Sequence, residues 1–243
     1  AYGVRRKHIL GGHCDGLMNY PFRTAALNFL LGQGAEQFVA AMETLRENYP
    51  PSAFFSAMNS LGTHDTPRAL TLLALGSPCT DQSRQWRADF RLNGEQRRRG
   101  VERLKVGSAL LFCFPGSPTV YYGDEAGMEG FEDPFNRRTY PWGQEDKELL
   151  DWYAALGRLR REHQALQIGN IEYLFDSGDL LVFSRWDGQE TVLCACNAGE
   201  QPQTCLLDFP ATLLLGDCTV EPREEGYALT LPPRSAAVLL RSE

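Results

Sequence analysis

The sequence predicts an α/β chain in which three strand–helix units precede an all-β antiparallel domain. Through the first two thirds, short apolar runs alternate with stretches whose apolar residues recur near helical spacing. From about residue 168 the pattern changes to short alternating or β-branched runs, divided by turn residues such as Ser177-Gly178 and Asp187-Gly188. The three units use about 165 residues, whereas a closed (β/α)8 barrel takes roughly 250.

Taken in order, "DGLMNYPF" (15–22) is expected to be a short strand closed by Pro21. A helical stretch follows over 25–49, interrupted at Gly32 and Gly34, with Leu27, Phe29, Leu30, Phe38, Ala41, Met42 and Leu45 as its apolar stripes. "SAFFSAMN" (52–59) is apolar almost throughout, as a strand covered on both faces would be. Thr66 and Pro67 form an N-cap and first-turn proline, so a helix is expected immediately after Asp65. Residues 76–91 read as irregular, Glu95 to Phe114 as one long helix, "SPTVYYGDE" (117–125) as a third strand, and 146–163 as an amphipathic helix. Six runs between 169 and 242 then read as the strands of a sandwich. Three parallel strands would leave two bare edges, which must be covered.

With 43% hydrophobic and 23% charged residues, the chain has the balance of an ordinary globular protein. Its 24 basic against 31 acidic residues argue against nucleic acid, whose phosphates require a basic footprint. The densest basic stretch, "EQRRRGVERLK" (95–105), has acids interspersed and suits a solvated helix face. The longest apolar run, "GSALLFCFPG", is too short for the roughly 18 residues of a membrane span. Seven cysteines without CxxC–His spacing suggest neither a zinc site nor a disulfide framework, and reduced thiols favour a cytoplasmic setting. Cys194 and Cys196 share one face of a strand, as small buried apolar residues. The N-terminus shows neither an initiator Met nor a signal-peptide pattern.

His64 and Asp65 fall where a strand's carboxyl end meets the next helix, the usual place for barrel chemistry. An ionised Asp there can accept hydrogen bonds from two adjacent sugar hydroxyls, or it can simply cap the helix. Asp133 and Arg137 are one helical turn apart, which brings carboxylate and guanidinium together either for a ligand or as a plain ion pair. Asp124 and Glu125 are adjacent and so point to opposite faces of a strand; holding the loop is their expected role. Tyr121 and Tyr122 suit barrel packing, and Trp142 and Trp152 suit core or inter-domain packing. Asn19 and Tyr20 end the first strand at the rim. His8, His13 and His163 are expected in loops or at the surface, and Arg68 either orients Asp65 or decorates its helix.

"LGTHD", "GSPTVYYGDEAGM" and "EDPFNRRTYPW", in that order, resemble the last part of the α-amylase family of glycoside hydrolases, closest to its cyclomaltodextrinase, neopullulanase and maltogenic amylase branch. The opening "YGVRRKHILGGHCDGLMNYPF" is similar to that branch just after its fifth strand. The resemblance implies a partial (β/α)8 TIM barrel, units six to eight, over 1–167, and an eight-stranded type of β-sandwich over 168–243. It implies that Asp65 is the third essential carboxylate, a transition-state stabiliser. His64 would bond the same sugar, and Asp133 with Arg137 would hold the next one, with Tyr20 at the rim. The family's nucleophilic Asp and general-acid Glu would precede Ala1, and nothing in the chain stands in for them. Retaining hydrolysis needs a carboxyl pair about 5–5.5 Å apart, so the chain alone is expected to be inactive. The implied parent cleaves α-1,4 and in some members α-1,6 glucosidic bonds of α-glucan oligosaccharides. The implied partners are that substrate and the missing barrel half or another copy of the chain. No membrane, nucleic-acid or cofactor partner is implied, and calcium stays open for the parent. A non-catalytic carbohydrate-binding or interaction protein on this scaffold is the alternative. A carbohydrate-binding role for the β domain alone is disfavoured, because Trp186 is its only tryptophan.

Overall fold

Two short strands and one bridging residue run in parallel at the centre of the N-terminal part. In the computed structural model, which describes residues 2–10 and 13–242, β1 (Met58–Ser60) pairs with β2 (Ser117–Thr119), Met58 opposite Ser117. On the other side of β1, Met18 bridges Met58 in parallel; Asn19 N–H donates to the Met58 carbonyl (2.8 Å) and Met58 N–H to the Leu17 carbonyl (3.0 Å). Buried amides reinforce the pairing. Asn19 Nδ2 donates to Asn59 Oδ1 and Asn59 Nδ2 to the Pro115 carbonyl, each at 2.8 Å. All three segments therefore send their carboxyl ends the same way.

The helices are α1 (Tyr2–Ile9), α2 (Tyr20–Leu30), α3 (Ala35–Asn48), α4 (Pro51–Ser56), α5 (Ala69–Leu75), α6 (Arg84–Asp89), α7 (Gly94–Cys113), α8 (Lys147–Glu162) and α9 (Gln164–Ile168). The break at Gly32–Gly34, the long helix and the amphipathic helix match expectation. Four assignments are corrected. Pro21 opens α2 instead of closing a strand: a proline in the first turn loses no helical bond, and Asn19 caps the turn by accepting from Phe22 N–H (3.1 Å). Residues 52–59 form most of α4 before β1 begins, because a short apolar run suits a buried helix as well as a strand and Pro51 sits at its start. The third strand ends at Thr119. Residues 76–91 contain α6, capped by Ser83, whose hydroxyl accepts from Trp86 N–H (3.1 Å).

Among the described residues the C-terminal part has eight strands, two more than the six runs picked out by alternation, and the number the resemblance implies. They are β3 (Asn170–Ser177), β4 (Leu180–Trp186), β5 (Thr191–Asn197), β6 (Gln203–Leu207), β7 (Ala211–Gly216), β8 (Thr219–Arg223), β9 (Gly226–Leu231) and β10 (Ser235–Arg241). A five-stranded antiparallel sheet, β3-β4-β5-β10-β7, stacks on a three-stranded one, β6-β9-β8. The two unexpected strands, β7 and β8, are sheet edges, and edge strands carry weak alternation and tolerate residues such as Pro222.

Period-two alternation gives the larger sheet two apolar faces. Leu181, Phe183, Val192, Cys194, Cys196 and Val238 join the core formed by α2, α3, α7 and α8, while Leu180, Val182, Leu193, Ala195 and Leu239 face the smaller sheet. Phe114 is the joint between the two parts, its ring 5.4 Å from Phe22, 5.5 Å from Phe38 and 5.9 Å from Phe183. Beside it Arg185 is fully buried and donates to the carbonyls of Cys113 (2.7 Å), Leu166 (3.2 Å) and Gly169 (2.8 Å). Burial lowers its pKa to about 10. Among the described residues, no helix is long and apolar enough to cross a membrane.

Candidate functional site

The loop that leaves β1 is set by short side chains. Thr63 and Thr66 hydroxyls lie 3.2 Å apart, Thr63 N–H donates to Thr66 Oγ1 (3.3 Å) and Asp65 N–H to Thr63 Oγ1 (3.3 Å). Thr66 thus serves the loop, and α5 begins only at Ala69, after Pro67 and Arg68; the expected Thr66 cap is corrected accordingly. A second clamp comes from far along the chain. Asn136, fully buried in a 3-10 turn (Phe135–Arg137), donates through Nδ2 to the His64 and Thr66 carbonyls, both at 2.8 Å. Arg137 Nε also donates to the His64 carbonyl (3.1 Å).

These contacts present His64 and Asp65 outward, each more than half exposed. His64 Nε2 is 3.2 Å from Asp65 Oδ1, the Tyr20 hydroxyl is 3.5 Å from Asp65 Oδ2, and Arg137 Nη2 is 3.8 Å from Asp65 Oδ1. Arg137 Nε is also 3.2 Å from Asp133 Oδ1. The five residues singled out in the sequence, Tyr20, His64, Asp65, Asp133 and Arg137, therefore form one connected cluster. Asp133 and Arg137 meet across the 3-10 turn and not along an α-helix; Pro134 precedes that turn and does not open a helix. An apolar cleft of about 400 Å³ between α2 and α3 shares only Tyr20 with the cluster, which lies on open surface.

Beneath the loop, Arg68 neither orients Asp65 nor decorates a helix. It is buried, 3.2 Å from Asp124 Oδ1, bonded to the Tyr122 carbonyl and stacked on the rings of Tyr121 (4.3 Å) and Tyr122 (4.7 Å). Burial pushes the Asp124 carboxyl up from 3.8 to about 6, against the pull of Arg68. Gly62 is required above it, since a Cβ there would collide with the Asp124 carboxylate. Glu125 turns back to accept from Gly123 N–H (2.8 Å), consistent with a pair that holds the loop.

Sequence reasoning missed Asn136, although it stands inside the quoted "EDPFNRRTYPW"; a polar residue between Phe135 and Arg137 gives no signal until its burial is seen. Asn19 proves structural. Trp152 is buried and donates to Ser108 Oγ (2.9 Å), but Trp142 is 82% exposed, its ring 4.6 Å from Tyr140, which corrects the expected packing role. His163 is half-buried, with Nδ1 2.7 Å from Glu190.

Residues 173–238 match the family described as "Maltogenic Amylase, C-terminal domain". An amylopullulanase of Thermoanaerobacter thermohydrosulfuricus is 36% identical over 189 residues, 73% of this chain and 12% of that protein. A cyclomaltodextrinase of Geobacillus thermopakistaniensis is 32% identical over 237 residues, 93% of this chain and 36% of that protein. The crystal structure of an Anoxybacillus α-amylase superposes with a TM-score of 0.81 at 27% identity, over 98% of this chain and 49% of that one. The chain thus spans about half the length of that solved structure and just over a third or less of these two relatives. By its three ordered motifs, its matching C-terminal domain and its near end-to-end likeness, the chain is similar to a part of enzymes of the α-amylase family.

Proposed function

We propose that the chain is the C-terminal portion of a retaining α-glucan hydrolase acting on α-1,4 and, in part, α-1,6 glucosidic bonds. In this reading residues 1–167 supply units six to eight of a (β/α)8 barrel and residues 168–243 its β-sandwich. The convergence of Tyr20, His64, Asp65, Asp133 and Arg137 at the carboxyl ends of parallel segments carries the reading. That is the end where such barrels build their sites.

Asp65 accepts hydrogen bonds from neighbouring hydroxyls of the reacting sugar. Those bonds shorten and strengthen as the ring flattens towards an oxocarbenium ion, so they favour the transition state over the ground state. His64 donates to the same sugar, and Arg137 fixes both Asp65 and Asp133 so that the adjoining sugar is gripped beside it. The nucleophile and the proton donor come from outside this chain. Relatives named cyclomaltodextrinase, neopullulanase and amylopullulanase support the substrate class.

The purified 243-residue polypeptide is expected to release no sugar from cyclodextrin. Turnover above background, abolished by Asp65→Asn, would refute the assignment of the bond-breaking groups to another segment.

A further inference from the structure

A cavity of about 750 Å³ opens at one end of the β domain and shares no residue with the cluster around Asp65. Its floor is the inner face of the larger sheet, where the side-chain chemistry changes along each strand. On β4 the inward positions run Leu180, Val182, Ser184, Trp186; on β5 they run Ala195, Leu193, Thr191; on β10, Ala237, Leu239, Arg241. The register aligns the change: Glu172 pairs with Ser184, Ser184 with Leu193, and Trp186 with Thr191. Where the smaller sheet covers this face it is apolar. Past the end of β6, where the chain turns away at Asp208–Pro210, it carries an indole, carboxylates, hydroxyls and a guanidinium.

These groups are largely uncommitted. Among the described residues, the carboxylates of Glu172 and Asp208 have no hydrogen-bonding or ionic partner, and Arg241 forms no ion pair, its guanidinium instead lying 4.3 Å over the Phe209 ring. Two residues at the margin are engaged: Glu190 by His163 (2.7 Å) and by Ala165 N–H (3.1 Å), and the Ser242 hydroxyl by that of Thr212 (2.8 Å). Trp186 is 42% exposed, a costly placement for an indole unless its face has a use.

Against the expectation drawn from the single tryptophan of the β domain, we infer that this cavity is a second, non-catalytic glycan site that binds a short neutral oligosaccharide, because Trp186 stands exposed among polar groups. Three carboxylates against one guanidinium repel anions and disfavour phosphate or an acidic polymer. A sugar offers what the lining lacks: an axial C–H face to lie on Trp186, and vicinal hydroxyls to fork onto Glu172, Asp208 and Arg241. The row crosses four neighbouring strands, β3, β4, β5 and β10, about 14 Å at the usual strand spacing, which suits an extended ligand of a few rings. The volume falls within the usual range for small-ligand pockets. That the glycan is an α-glucan rests on the function proposed above; the site itself rests on this lining alone.

Calorimetric titration of the 243-residue chain with maltoheptaose tests it, using Trp186→Ala, Arg241→Ala and Asp65→Asn. The first two should each weaken binding, Trp186→Ala by about tenfold or more, as truncating a central aromatic anchor does. Asp65→Asn should leave this binding in place. Both β-domain residues are exposed, and unchanged circular dichroism would show that the variants fold; if one fails to fold, the other carries the test. Loss of binding in Asp65→Asn with none in Trp186→Ala would overturn the second site while leaving the proposed function standing. Absence of any maltoheptaose binding would overturn it as well. Loss in Trp186→Ala, together with a complete gene product whose hydrolysis ignores Asp65→Asn, would sustain the site and defeat the proposed function.

Discussion

Asp65 sits on a loop whose rigidity is borrowed from residues about seventy positions away. Asn136 and Arg137 hold the His64 and Thr66 carbonyls, and Arg137 then reaches Asp65 itself. Truncating Asn136 to Ala removes the donor to the part-buried Thr66 carbonyl and one of the two donors to that of His64, so a stability loss of about 1–3 kcal/mol is expected in denaturant unfolding. Under the proposed function, activity should follow Asp65 and Arg137. In the complete gene product, Asp65→Asn is expected to lower kcat/KM by about 10²–10³ with the fold intact, the usual cost of removing a group aimed at developing charge. Arg137→Lys should not rescue Arg137→Ala, because a point charge cannot serve Asp65, Asp133 and the His64 carbonyl together as a planar fork does. Equal activity in the Lys variant would show that only the charge matters.

At the scale of elements, the start of α5 and the loop after β2 are locked by Arg68 and Asp124. Removing one partner leaves the other charge buried and unpaired, so Asp124→Ala is expected to cost about 3–5 kcal/mol. The pH dependence has a definite sign. The folded carboxyl holds its proton more tightly than the unfolded one, about 6 against 3.8, so its contribution is best below pH 3.8 and declines as pH rises through 6. The stability difference between wild type and Asp124→Asn, measured by urea unfolding across that interval, should shrink as pH rises; growth would contradict burial as the dominant influence. Such pairs explain what could be seen in the residues alone. The strand-end motif around His64 and Asp65 was legible because its chemistry is local in sequence. The Arg68–Asp124 pair, 56 residues apart, was not, since nothing near Arg68 shows that it will be enclosed. The β-domain strands were legible where part of the run is apolar and at least half-buried, the edges β3 and β6 included, and illegible at β7 and β8, neither of which buries a side chain fully. The helix starts at Pro21 and Pro51 were misassigned because the apolar runs around them fit either period.

For the whole molecule, the parallel segments and the loop after β2 leave apolar side chains in the open. Met18, Met58 and, in that loop, Tyr122 are each about two-fifths exposed. Exposed strands of this kind pair with whatever is near, so size-exclusion chromatography of the chain is expected to show self-association; a stable monomer would count against the proposed partial barrel. The two parts nevertheless share one core through Phe114, and Phe114→Ala should cost about 3–5 kcal/mol in a single unfolding transition. Arg185 adds a constraint of another kind. Its guanidinium is a bolt through the junction, seated in carbonyls that belong to the end of α7, to α9 and to the turn into β3. The β domain therefore cannot swing as a pendulum on a tether: any relative rotation would withdraw a buried cation from these carbonyls, so the two parts are expected to move as one body.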